Sequence, residues 1–155
     1  MILAIDPGTE QSGWCFLGAD RRVKDSGVLP NADVLRLVWN GVHEIGALRC
    51  AADTLAIEMV ASYGMPVGRE VFETVRWIGR FQQAWRDPEA VRLIYRRDVK
   101  LHLCGSMRAK DPHVWQALID KLGPIGTKAC PGPLYGVKSH ARSALAVAVT
   151  AAEAK

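Results

Sequence analysis

Asp6 closes the apolar run Met1-Ile2-Leu3-Ala4-Ile5 and is followed at once by Pro7-Gly8-Thr9. A carboxylate there sits at the open end of a buried strand, beside a turn that leaves it room. A second acid, Glu58, closes the run Leu55-Ala56-Ile57, and His140 and Ser143 open an Ala/Val-rich helical stretch near the end of the sequence. Their spacing of three places the last two on one helical face. Carboxylate oxygens suit hard divalent cations, and an imidazole binds a metal or positions water. Two strand-end acids and a helix-borne pair therefore point to a divalent-metal nuclease site. A turn-capping Asp, a solvated Glu and a helix-start His are the plain alternatives for each residue taken alone.

The 155 residues suit a single domain, and a 49% hydrophobic content suffices for an ordinary core. Lys and Arg number 20 against 16 acids, a formal net charge of +4. The excess is uneven. Val91 to Lys110 holds six basic residues and one acid, and the stretch from Lys121 onward holds five and one. A basic second half points to a polyanionic partner. Cys15, Cys50, Cys104 and Cys130 form no CxxC or Cys/His zinc pattern. With no signal peptide and no membrane-length apolar run, a cytoplasmic protein with reduced thiols is expected.

These side chains need elements to hold them. Residues 2–6, 13–17 and 23–28 read as a three-stranded antiparallel meander. Asn31-Ala32-Asp33 caps a helix expected to run to about Cys50, although Gly41 and Gly46 interrupt it. Strands at 54–58 and 92–96 flank a long helix from Arg69 to about Trp85. A short helix is expected over 98–103. Asp111 as N-cap with Pro112 starts another to Leu122. A Gly/Pro-rich loop over 123–136 leads to a last helix over 139–152. Early antiparallel strands followed by alternating strands and helices predict an α/β fold with a mixed sheet covered by helices.

The segments Ile2 to Thr9 with Gly13-Trp14, Leu55 to Glu58, and His140 to Ala148 together resemble the RuvC family of Holliday-junction resolvases, most of all its compact phage-type members. The resemblance implies a ribonuclease H-like, five-stranded mixed sheet flanked by helices, forming one nuclease domain over residues 1–155. It implies a crossover-junction endodeoxyribonuclease of DNA recombination and repair, in a bacterial or phage-infected cell. Asp6 would bridge two Mg²⁺ or Mn²⁺ ions about 3.5–4 Å apart, a spacing suited to phosphodiester hydrolysis. Glu58 matches the second acidic ligand and His140 the third, as catalytic and metal-binding residues. Ser143 departs from the family, which often carries Asp there. Its hydroxyl is a weaker ligand, so a catalytically impaired branched-DNA binder is the alternative reading. An actin-like ATPase, the other reading of Asp6-Pro7-Gly8-Thr9, is disfavoured by the short chain and the lack of a second phosphate loop.

In the helix from Arg69, the apolar residues Val71, Phe72, Val75, Trp77, Ile78, Phe81 and Trp85 cover more than half the circumference, leaving Arg69, Arg76 and Arg80 a narrow face. An arc that wide predicts a second contact beyond the sheet. By resemblance this is a homodimer interface built on Trp77, Phe81 and Trp85, and two-fold symmetry suits a four-way junction cut twice. Arg69, Arg76, Arg80, Arg96, Arg97, Lys100, Lys110, Lys138 and Arg142 are candidates for the DNA backbone. Tyr63, in the loop after Glu58, is a candidate for stacking on or wedging apart bases.

Overall fold

The computed structural model describes residues 1–45 and 48–154, with side chains described at all of these except 43–45 and 48–50. Its elements in order are β1 (Ile2–Asp6), β2 (Gln11–Leu17), β3 (Val23–Pro30), α1 (Asn31–Asn40), β4 (Val42–Ile45), β5 (Leu48–Ala51), β6 (Thr54–Met59), α2 (Arg69–Ala84), β7 (Arg92–Tyr95), α3 (Arg96–Cys104), α4 (Asp111–Leu122) and α5 (His140–Glu153). A five-stranded sheet runs in the order β3-β2-β1-β6-β7. Its first three strands are antiparallel, while β1–β6 and β6–β7 are parallel. This is the mixed sheet that the sequence predicts.

Strand periodicity divides the core in two. Leu3, Ile5, Trp14, Phe16, Leu55 and Ile57 point to one face, where Val34, Leu37 and Val38 of α1 and Ile78 and Phe81 of α2 cover them. Ala4, Cys15 and Ala56 point to the other, beneath α5. Small side chains there let α5 lie close to the sheet, and Ala144 through Ala148 are wholly buried. Because Asp6 and Glu58 follow Ala4 and Ala56 by two residues, strand alternation puts both carboxylates on the α5 face.

Four expectations need correction. The helix from Asn31 ends at Asn40 and does not reach Cys50. Gly41 takes φ 61° and its N–H donates to the carbonyls of Leu37 and Val38, which closes the helix. The chain then returns as the β4–β5 hairpin, and Gly46 lies outside the described residues. The strand expected over 92–96 ends at Tyr95, and α3 begins at Arg96, not Asp98. The N-cap of α4 is Lys110, so Asp111 and Pro112 lie inside its first turn. Proline is tolerated there because the first helical N–H groups lack intrahelical acceptors.

Candidate active site

The site lies where β1, β6 and the first turn of α5 meet. In the β1–β6 register Ile5 faces Ile57, so Asp6 and Glu58 follow side by side at the ends of adjacent parallel strands. Both side chains are largely covered, 14% and 13% exposed respectively. Asp6 also faces Gly13 across β2. A Cβ on Gly13 would stand 2.3 Å from the carbonyl oxygen of His140. Glycine at that position is therefore what allows the start of α5 to rest on β2 beside Asp6. His140 Nδ1 lies 2.8 Å from Asp6 Oδ2. Ser143, one turn along α5, is near enough to the Asp6 carboxylate to oppose the rise in its pKa.

The loop leaving Asp6 is anchored from below. Ser12 Oγ donates to Asn31 Oδ1 at 2.6 Å, and Asn31 Nδ2 donates to the Gly8 carbonyl at 3.0 Å. Both side chains are buried. The residue before α5, Ser139, has φ 49° and ψ −134°, a conformation that costs a non-glycine residue about 1–3 kcal/mol. The turn that presents His140 is thus strained.

Arg96 enters this site from the first position of α3. Its guanidinium donates to Glu58 Oε2 at 3.2 Å and to Asp111 Oδ1 at 2.7 Å. The sequence marks Arg96 only as a surface cation for the DNA backbone, and Asp111 only as a cap. Their signals were position: Arg96 follows a strand adjacent to β6, and Asp111 opens a helix. Burial raises the Asp6 pKa above the usual carboxylate range, against the opposing effects of His140, Arg96 and Ser143. Glu58 is pushed up to about 7, first by burial and then by the Asp6 charge, with Arg96 opposing. Two buried carboxylates, both with raised pKa, make a site that favours added positive charge.

Sequence comparison finds no matching protein-family model and no matching curated protein. Comparison of folds does find relatives. The solved structure of Thermus thermophilus RuvC aligns at a TM-score of 0.64 and 20% identity, over 96% of this chain and 91% of that one. The T. thermophilus RuvC structure in complex with Holliday junction substrate aligns at 0.66 and 22%, over 96% and 90%. The fold is RuvC-like.

Within that RuvC-like frame, the remaining basic candidates are spread widely. Arg69 and Arg76 lie along α2 and pair with Glu73, while Arg80 stacks on Trp77 at 4.0 Å. Arg97 stands between Tyr63 and Tyr95, 5.9 and 5.8 Å from the ring centres. Lys100 is close enough to Asp111 to lower its pKa after the larger effect of Arg96. Lys110 and Lys138 are exposed next to α4 and α5. Arg142 stacks on Trp115 at 4.2 Å, in a cleft of about 570 Å³ that runs from Asp111 to His140 and Ser143. Tyr63 is exposed in the loop over residues 60–68, with φ 48°. Of the three dimer candidates on α2, Phe81 and Trp85 are buried against the sheet and Trp77 is partly so. Phe72 and Val75 are the apolar residues that α2 leaves exposed, at 61% and 38%.

Among the described residues no three His, Cys, Asp or Glu side chains are grouped tightly enough to make a ready metal cage. The donor set nevertheless fits a divalent cation. It offers the Asp6 and Glu58 carboxylates, the His140 imidazole and the Ser143 hydroxyl, and the two acids are short of positive charge. Among the described residues, no helix is long and apolar enough to cross a membrane.

Proposed function

We propose that this chain is a divalent-metal-dependent endonuclease that cuts Holliday junctions and related branched DNA, as a single nuclease unit over residues 1–155. The observation that carries this reading is the meeting of Asp6, Glu58 and His140, far apart in sequence, at one end of a RuvC-like sheet. A T. thermophilus relative of that fold is known in complex with a Holliday junction substrate.

In this reading Asp6, Glu58 and His140 hold Mg²⁺ or Mn²⁺, with Ser143 as a weak ligand or the anchor of a water molecule. A divalent cation bound there supplies Lewis-acid polarisation of the phosphate and lowers the pKa of water. The protein's own part is definite. With Asp6 ionised, Nδ1–H of His140 donates to Oδ2, which fixes the tautomer and leaves Nε2 as an acceptor. The imidazole is 65% exposed, so Nε2 is open to one of two roles that exclude each other, binding the metal ion or taking a proton from water attacking phosphorus in line. Breakage of the P–O3′ or P–O5′ bond then sets the end chemistry, and family resemblance favours 5′-phosphate and 3′-hydroxyl ends. Arg69, Arg76, Arg80, Arg97, Lys100, Lys110, Lys138 and Arg142 supply sequence-independent grip on the backbone. Two copies paired across the exposed part of α2 supply two symmetric nicks.

The test is cleavage of a labelled synthetic four-way junction in Mg²⁺ and Mn²⁺, with binding measured in parallel in EDTA. Asp6→Asn and Glu58→Gln should each lower cleavage by about 10³-fold or more while binding persists. His140→Ala should cost about 10²–10⁴-fold, the usual range for a lost proton acceptor. Junction binding by the unaltered chain without cleavage in either metal would show a binding protein and defeat the nuclease reading.

A further inference from the structure

The proposed site is one carboxylate short, and it contains a cation of its own. Ser143 stands where the resemblance leads one to expect an acid, so α5 contributes no negative charge to the site. Arg96 meanwhile lies across Glu58 and Asp111, with its side chain only 23% exposed. It is held by two elements at once, β6 on one side and the first turn of α4 on the other. Asp6 and His140 are occupied with each other on the opposite flank.

From this arrangement we propose that Arg96 permanently takes the place of one of the two divalent cations, so that the site binds a single metal ion, on the Asp6–His140 flank. The inference rests on the nuclease reading and alters its ion count. Charge supports it. When all three are ionised, Asp6, Glu58 and Asp111 carry three negative charges and Arg96 one positive, which leaves two negative charges for one divalent cation to balance. A second divalent cation would have to share Glu58 with a guanidinium that already contacts it. Like charges confined at such separations repel strongly in a covered site. A guanidinium also does part of a cation's work. Its planar array of donors suits a phosphate oxygen, and its charge is permanent. Asp111 is then a positioning residue that holds the guanidinium against Glu58. Its carboxylate is 74% exposed, and it reaches the site through Arg96.

Counting bound ions tests this directly. Mn²⁺ is titrated into the full chain by calorimetry and, separately, by electron paramagnetic resonance, with circular dichroism confirming the fold of each variant. The unaltered chain should bind one Mn²⁺, and Asp6→Asn should bind none. Arg96→Gln should bind two, because Glu58 is then free, whereas Arg96→Lys should keep the count at one. Cleavage rate should rise with the first power of metal concentration in the unaltered chain. Two ions in the unaltered chain, or one ion in a folded Arg96→Gln, would overturn the substitution while leaving the nuclease reading intact. No bound Mn²⁺ together with no cleavage would bring down both.

Discussion

Glu58 is expensive for the fold. Its carboxyl has a reference pKa of 4.5 and is pushed up to about 7, by burial first and by the Asp6 charge second. Between those values the folded chain holds a proton that the unfolded chain has lost. Stability linked to this group is therefore complete below about pH 4.5 and declines as pH rises through about 7. Replacing it by Gln removes the ionisation and leaves Arg96 paired with Asp111. Glu58→Gln should be more stable than the unaltered chain by about 1–3 kcal/mol at pH 8 in EDTA, with the gap closing toward pH 4.5. Thermal melts at several pH values check this, and a variant less stable at pH 8 would contradict it. The same residue shows what a sequence exposes. Glu58 was visible because an acid ending an apolar strand is unusual. Arg96 and Asp111 were not, because an arginine after a strand and an aspartate before a proline have ordinary explanations. Only the fold brings them to the same carboxylate.

At the level of elements, the placement of His140 depends on a residue that carries no side chain. Gly13 opens the gap on β2 into which the first turn of α5 fits, and a methyl group there meets the backbone of His140. Backbone cannot rotate away as a flexible side chain does, so α5 must shift. Gly13→Ala should cost about 1–3 kcal/mol in urea unfolding. It should lower kcat at least tenfold while junction affinity holds, because misplacement by fractions of an ångström weakens proton transfer more than DNA grip. Unchanged kcat in the folded variant would mean that α5 does not set the geometry. Element boundaries were legible where chemistry marked them. The helix to Leu122 differs from the sequence reading only in its cap, which is Lys110, and the long helix from Arg69 differs only at its end. The sequence predicts too long a helix from Asn31 because the apolar residues keep helical spacing past Gly41. Left-handed backbone at that one glycine outweighed the periodicity that continued beyond it.

For the molecule as a whole, strand alternation and element order were enough to reach the mixed sheet, since they decide which faces must be covered. They could not separate covered from uncovered apolar surface on α2. The sequence singled out Trp77, Phe81 and Trp85 for a partner, yet the sheet and α1 already bury Phe81 and Trp85. The pairing surface proposed for a two-fold dimer is better represented by Phe72 and Val75. Phe72→Glu should convert a dimer to a monomer in analytical ultracentrifugation at micromolar concentration and uncouple the two nicks on a four-way junction. An unaltered chain that sediments as a monomer, free and on DNA, would remove pairing from the account.

The contact between Asp6 and His140 spans 134 residues, from the first strand to the last helix described. A chain emerging from the ribosome presents β1, the central strand of the sheet, early, but the imidazole arrives only after β7 and α4 have been made. A copy not yet extended past His140 cannot assemble the pair. Under the proposed function, cutting therefore waits until the first turn of α5 has docked beside β1.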